Sequence, residues 1–402
     1  MVNLPTKKKI HRILYVNPYN TKGGPYHSLM VLLKKLDRSH YKPLVLEAQI
    51  CPSDDMEKMG IDVYHHPAIQ TVPRSLMPIT QFTFWLSFIT QIRSLVEKIQ
   101  RLNIDIVHVN SEACWIALKS AHLARVPVIT HIRGMSVLHP PLIGKLSAGV
   151  LCHYSNTLLA VSNKVKDSYI KAGVSRDKII TIHNGLDIEK YHPDHVKPCL
   201  KNELGISEDQ PLIGMIANID RRKGHHDFVT MCSLVKLKFP DARFIVVGGI
   251  LPGQEKYMEE VKSLATQKGL SNELNFIGYR EDIPEIIQSL DIIVQPSHTE
   301  AGPRVPLEAM AMRKPLVVTN IEGNAEEVIH GETGFTVPVG DASAMAASVN
   351  MLLLDAGLRQ RMGHAGRTRV EYYFTDDHYA DAIQSIYKDV LHLKSRQNII
   401  TQ

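Results

Sequence analysis

The chain has 402 residues, 44% of them apolar and 22% charged, ordinary values for a soluble globular protein with room for two domains. Its five cysteines, at positions 51, 114, 152, 199 and 232, form no Cys-x-x-Cys pair, which argues against a zinc site or a disulfide framework and fits a reducing compartment. The net charge of +5 is unevenly split, with 24 Lys+Arg against 13 Asp+Glu in residues 1–190 and 22 against 28 in residues 191–402. The basic half is therefore expected to face something anionic, a membrane surface or an anionic glycan, and no nucleic-acid-binding motif is visible.

The N-terminal stretch leads into a short strand rather than a signal-peptide core, and the most apolar run, Phe82 to Thr90, is too short to span a bilayer. A cytoplasmic protein is expected, held peripherally at the inner face of the membrane if the basic half meets lipid. Ile10 to Val16 reads as the opening strand, and Tyr26 to Leu36 as a helix. Gly23 and Gly24 between them let backbone approach a ligand closely. The pair is not Gly-x-Gly-x-x-Gly, so a dinucleotide site and an oxidoreductase are poorly supported.

Leu44–Ala48 and Ile61–Tyr64 are strand candidates, and residues 80–101 form a long helix carrying Phe82, Phe84, Trp85, Phe88, Ile89, Ile92 and Leu95. Those side chains pack a core or meet a bilayer interface or acceptor groove. Ile104 to Asn110 is a buried strand whose polar tail, His108, Asn110 and Ser111, falls at the carboxyl edge where α/β sheets bind ligands. Pro127 to Gly134 is a further strand-to-loop segment. Alternation along it points His131 and Arg133 to one face. Ser162 is placed to cap the helix that follows the strand at Leu158–Val161.

Residues 191–211, with Pro193, Pro198 and Pro211, read as an interdomain passage. A strand restarts at Leu212 and is followed by Asn218-Ile-Asp-Arg-Arg-Lys-Gly224. Cations there suit the neutralisation of an anionic group at a sheet edge. Further strands are expected at Arg243–Val247, with the Gly248–Gly249 turn, and at Leu274–Gly278. The run Leu290–Val294 then leads through Gln295-Pro-Ser-His-Thr-Glu-Ala-Gly-Pro-Arg304 into a helix whose first position suits Pro306. A strand, a tight loop and a helix start make an anion site. Glu300 and Glu308 flank it. Carboxylates do not bind phosphate, so hydrogen bonding to sugar hydroxyls is their natural task, and the loop reads as a site for a phosphorylated sugar. Strand–helix alternation through both halves predicts two doubly wound parallel-sheet domains.

The spacing of Glu300 and Glu308, the following Ala-Met-Ala and Pro315-Leu-Val-Val resemble the Glu-x7-Glu signature of retaining nucleotide-sugar glycosyltransferases, glycosyltransferase family 4. The resemblance implies an α/β GT-B fold of two Rossmann-like domains facing across a cleft. The acceptor-side domain would cover residues 1–190 and the nucleotide-sugar domain 191–375, with a C-terminal helix at 376–402 folding back on the first. It implies that Glu300 contacts the transferred sugar, Glu308 the ribose, and the amides near Arg304 and Val305 the diphosphate. Gly23 and Gly24 would close over the donor phosphates, and the loop after Gly278 would seat the base. Lys223 matches the family's Lys-Gly position, whereas Asn218 stands where an Arg is expected, leaving Arg221 or Arg222 to compensate. At the family's histidine, near the transferred sugar, His131 has the expected type and Arg133 the expected count, so both are candidates.

The activity so implied is transfer from a nucleoside-diphosphate sugar to a glycan or lipid-linked acceptor hydroxyl, with retention, in cell-surface glycan or lipopolysaccharide biosynthesis. No cofactor is implied. No Asp-x-Asp lies in a strand-end loop, so cationic side chains would replace a metal. Asn218 and the Ala301-Gly-Pro303 variation leave a catalytically silent subunit or binding protein as the alternative.

Overall fold

A computed structural model describes residues 9–19, 23–48, 54–72, 78–135, 138 and 141–400, without the side chains of 78–85, 87, 322 and 395–400. The expected positions of Phe82, Phe84 and Trp85 therefore lie outside the described side chains. The chain forms two compact units, one made of residues 1–185 with 376–402, the other of residues 186–375.

The first unit holds a seven-stranded sheet of β1 (His11–Asn17), β2 (Tyr41–Glu47), β3 (Asp62–His65), β4 (Ile106–Val109), β5 (Val128–Ile132), β6 (Thr157–Ala160) and β7 (Ile179–Thr181). Its order is β3-β2-β1-β4-β5-β6-β7, and its pairings are parallel. Chain order reverses between β1 and β4, which opens a crevice at their carboxyl ends. Helices cover both faces, so β4 and β5 are buried along their whole length and carry no polar alternation.

The second unit holds β8 (Leu212–Ile216), β9 (Arg243–Val247), β10 (Leu274–Gly278), β11 (Ile292–Gln295), β12 (Leu316–Thr319) and β13 (Phe335–Val337). Their order is β10-β9-β8-β11-β12-β13, again parallel, with the switch between β8 and β11. Ile213, Met215, Ile292 and Val294 enter one apolar cluster, while Leu212, Ile216 and Ile293 enter another. That division follows from side chains alternating across the sheet.

Two stretches differ from their sequence reading. The proline-rich passage at 191–211 is packed, burying Tyr191, Leu200 and Ile206 in the second unit's core. The helix that starts at Val305 takes Pro306 as its second residue rather than its first. Ser162 caps the helix Asn163–Lys171, its side chain accepting from the Val165 amide.

The last helix, Asp376–Ile400, belongs to the first unit. Tyr379, Ile383, Tyr387 and Val390, spaced three and four apart, bury one stripe in that unit's core. Lys35, in the last turn of the helix Gly24–Lys35, sits 3.3 Å from Asp376 and 2.9 Å from Asp377 at its start. No helix among the described residues is long and apolar enough to cross a membrane.

Candidate active site

In the second unit the switch point brings the loop after β8 against the loop after β11. Gly224 makes this approach possible. It has φ +75, and a Cβ there would lie 2.0 Å from the Pro296 carbonyl oxygen. Backbone stitches the loops further, since the His298 amide donates to the Arg222 carbonyl at 2.7 Å. The His298 ring adds a 2.6 Å contact from Nε2 to Asp227 Oδ2.

Lys223 and Glu300 meet there, with Nζ 2.6 Å from Oε1 and side-chain exposures of 26% and 10%. Ser297 Oγ donates to the same oxygen at 2.7 Å. Gln295 Nε2 approaches it at 3.4 Å. Glu300 Oε2 has no partner among the described residues, and two of the three Lys223 ammonium donors are likewise unused. The pair thus presents an open carboxylate oxygen beside an ammonium. One suits a hydroxyl, the other a phosphate.

Arg222 is turned onto Asp220, 2.6 Å from Nη2 to Oδ2, and this contact holds the Asp220 carboxyl below its ordinary range. Arg221 reaches Glu260 at 2.5 Å and covers the Tyr257 ring. Neither guanidinium hydrogen-bonds Glu300 among the described residues. Asn218 itself accepts from the Gly249 amide at 3.2 Å, which ties β8 to the glycine turn after β9. Gly278 takes φ +73 with open space around it.

Arg304 caps the helix Val305–Ala311, and its Nε lies 3.5 Å from Glu308 Oε1 one turn later. Glu308 is buried. Burial raises the Tyr191 phenol well above its usual range, and the neighbouring Glu308 charge raises it further. One buried acid was not singled out from the sequence. Glu327 is 2% exposed, and burial first, then the Glu300 charge, pushes its carboxyl well above the ordinary value. Both effects favour its protonated form. Its sequence context, Glu326-Glu327 in a turn-rich stretch, carries no signal of that burial.

The first unit has a polar cluster at the carboxyl ends of β1, β4 and β5. Asn110 Oδ1 accepts from Arg133 Nη2 at 2.7 Å and from Nε at 2.9 Å. Arg133 Nη1 donates to Asn184 Oδ1 at 3.3 Å and Nη2 to the Tyr379 hydroxyl at 3.2 Å. Its backbone amide is held by Glu112 Oε2 at 2.9 Å. His131 is fully buried between the rings of His108 and Tyr379, and neither ring nitrogen has a hydrogen-bond partner among the described residues. Burial, then the Arg133 charge, drives its pKa well below normal, so the ring is neutral. Of the two candidates at this strand end, Arg133 is the one still partly accessible.

Gly23 caps the helix Gly24–Lys35 without a side-chain hydrogen bond. The Pro25 carbonyl accepts from Asn110 Nδ2 at 3.1 Å, so the glycine pair borders the Arg133 cluster. Among the described residues no group of three or more His, Cys, Asp or Glu is arranged to hold a metal ion.

Comparison with known proteins decides the family. The family model described as Glycosyl transferases group 1 matches residues 196–369, and Glycosyltransferase Family 4 matches residues 23–190. The chain belongs to the family 4 glycosyltransferases. This family 4 chain is 28% identical over 239 residues to the capsular polysaccharide biosynthesis glycosyltransferase CapM of Staphylococcus aureus, covering 58% of the chain and 62% of that protein. It spans less than two thirds of that relative's length. It is 27% identical over 307 residues to the N-acetyl-alpha-D-glucosaminyl L-malate synthase of Bacillus anthracis, covering 74% of the chain and 78% of that protein. In fold it resembles HepE from Anabaena, solved with UDP and glucose, with a TM-score of 0.78 over 94% of the chain and 99% of that structure, at 22% identity. The two parallel-sheet units are the Rossmann-like domains of a GT-B glycosyltransferase.

Proposed function

We propose that this protein transfers a sugar from a nucleoside-diphosphate sugar to a hydroxyl of a glycan or lipid-linked acceptor, with retention at the anomeric carbon, in bacterial surface-polysaccharide assembly. The observation that carries the reading is the Lys223–Glu300 pair, a cation and a motif carboxylate at one sheet switch point. Similarity to a capsular polysaccharide glycosyltransferase and to a UDP-binding structure supports the substrate class.

Breaking the glycosyl–phosphate bond develops negative charge on the diphosphate and positive charge on the sugar. A cation fixed before the substrate arrives stabilises the leaving group without reorganising in the transition state. Lys223 supplies that charge, with the two ammonium donors that Glu300 does not use. Glu300 Oε2 takes a sugar hydroxyl, and Glu308 the ribose. Backbone around Arg304 and Val305 receives the diphosphate, Arg222 adds field from its place on Asp220, and the loop following Gly278 seats the base. Asn218 shapes the turn beside it. Gly23 and Gly24 approach the phosphates, and Arg133 and His131 line the acceptor-side unit. We assign the charge stabilisation to these side chains, with no metal.

The test is release of nucleoside diphosphate from a panel of UDP-, GDP-, ADP- and dTDP-sugars by the wild-type chain and by Glu300→Gln. Turnover of one nucleotide sugar, strongly reduced in the variant, is expected. Failure to bind or turn over any member defeats the reading. Proton NMR of the product then reads the anomeric configuration, and inversion removes the retaining assignment.

A further inference from the structure

We propose that Arg133 binds an oxyanion, a carboxylate or phosphate, carried by the sugar or glycan that the first unit receives. The inference rests on the glycosyltransferase reading and names the chemistry of one substrate group.

Arginine offers five N–H donors. At Arg133 four contacts are made, two to Asn110 Oδ1, one to Asn184 Oδ1 and one to the Tyr379 hydroxyl. All three acceptors are neutral. Among the described residues no carboxylate pairs with this guanidinium. The nearby acid, Glu112, is 3% exposed and is directed to the Arg133 backbone amide.

A partly buried charge held by neutral groups keeps its field available, whereas structural arginines in protein interiors are normally paired with acids. In this molecule Arg222, Arg280, Arg304, Arg313 and Arg367 each have an acidic partner, and the partly buried Arg243, Arg359 and Arg369 donate to backbone carbonyls instead. Arg133 differs from both sets in resting on neutral side chains at the carboxyl edge of a sheet. Its fork is also locked in place. Asn110 is anchored on the Pro25 carbonyl at 3.1 Å, and Asn184 accepts from Ser28 Oγ at 2.9 Å. One Nη1 hydrogen has no acceptor among the described residues, and the group lies at the carboxyl edge of the sheet at the end of β5, one strand from the β1–β4 switch point. The neighbouring rings of His108 and His131 are neutral and contribute no second cation. A fixed, unneutralised guanidinium with an open donor is the arrangement that recognises a carboxylate or phosphate oxygen.

The oxyanion has two sources, the donor sugar or the acceptor, and paired ligands separate them. The donor pair is the uronic acid and the hexose of the nucleotide that the hydrolysis panel selects; for uridine, UDP-glucuronic acid and UDP-glucose. The acceptor pair is an alkyl diphosphate-linked N-acetylglucosamine and the neutral alkyl N-acetylglucosaminide. Each is titrated calorimetrically into the full chain and into Arg133→Gln and Arg133→Lys, at constant ionic strength. In one pair the anionic member should bind wild type about ten- to a hundredfold more tightly, the scale of a hydrogen bond to a charged group. Arg133→Gln should erase the preference, and Arg133→Lys should keep part of it. The pair that shows the preference names the source. Equal binding within both pairs, or a preference that survives in Arg133→Gln, overturns the inference. A variant that loses only thermal stability while retaining the preference assigns Arg133 to architecture and also overturns it. If the wild-type chain binds no nucleoside diphosphate at all, the proposed function has failed instead.

Discussion

Lys223 Nζ and Glu300 Oε1 stand 2.6 Å apart although 77 positions separate them in the chain. The contact joins two loops from neighbouring strands. Lys223→Ala should lower transfer by about 10²–10³-fold, the scale for losing one positioned charge on a developing anion. The midpoint of thermal unfolding should change little, because the ammonium is partly exposed and such pairs contribute little to stability. Steady-state kcat/KM beside a melting curve checks both halves. Activity near wild type removes Lys223 from the mechanism.

The loops owe their closeness to Gly224. Gly224→Ala places a methyl group against the Pro296 carbonyl in a backbone conformation that L-residues avoid. Left-handed φ alone costs about 1–2 kcal/mol. Gly269→Ala makes a matched control, with φ +70 but nothing within 4 Å of the new Cβ. The Gly224 variant should melt several degrees below the Gly269 variant and lose transfer activity as Lys223 and Glu300 separate. Equal melting points would mean that the loop relaxes without cost.

Much of the second unit's site was legible because its signal is local. The apolar strand, the tight loop and the two acids of Gln295–Glu308 lie in consecutive sequence, and Lys223-Gly224 sits one strand end away. The partners that organise the first unit's site were not legible for the opposite reason. Tyr379, which receives Arg133 Nη2, is 246 positions distant, and Tyr387, which meets His108, is 279 positions distant. Both read as ordinary members of an amphipathic helix. Asp220 and His298 were also missed, since a single acid or histidine in a polar loop does not announce which side chain it restrains.

His108 gives the first unit a pH signature. Its ring is fully buried, and burial followed by the Arg133 charge holds its pKa at about 3. The unfolded chain protonates near the ordinary histidine value of about 6.5. Between these values the unfolded state binds the extra proton, so stability is full above about pH 6.5 and is lost as pH falls toward 3. At pH 5 the deficit from this ring is about 2 kcal/mol. His131 shifts in the same direction. Urea unfolding of the wild type should weaken from pH 7.5 to pH 5, and His108→Gln, which still offers Tyr387 a polar partner, should show a shallower dependence. Equal slopes in the two proteins would contradict a neutral buried His108.

The last prediction concerns the surface that carries the basic half's apolar side chains. On the helix Pro78–Arg101, Leu86 is 50% and Ile89 70% exposed, while on the helix Pro141–Tyr154, Leu142 is 81% and Leu146 57% exposed. Leu95 and Ile99, by contrast, are buried, so the first of these helices divides into a core-facing end and an open one. Core packing explains the buried end and leaves the open leucines and isoleucine without a task. Apolar side chains on such helices insert shallowly at a bilayer interface, and each nearby Lys or Arg adds about 1 kcal/mol of attraction to anionic lipid. The excess of 24 Lys+Arg over 13 Asp+Glu in residues 1–190 supplies that charge. The full chain is the right sample, because the helix Asp376–Ile400 completes the first unit's core and a truncated fragment would expose it. The protein should co-sediment with phosphatidylglycerol-containing vesicles at low salt and be released as salt screens the charges. Ile89→Glu with Leu142→Glu should abolish the binding without lowering donor hydrolysis. A protein that stays in the supernatant at low salt overturns the membrane prediction, and its exposed leucines then answer to something other than lipid.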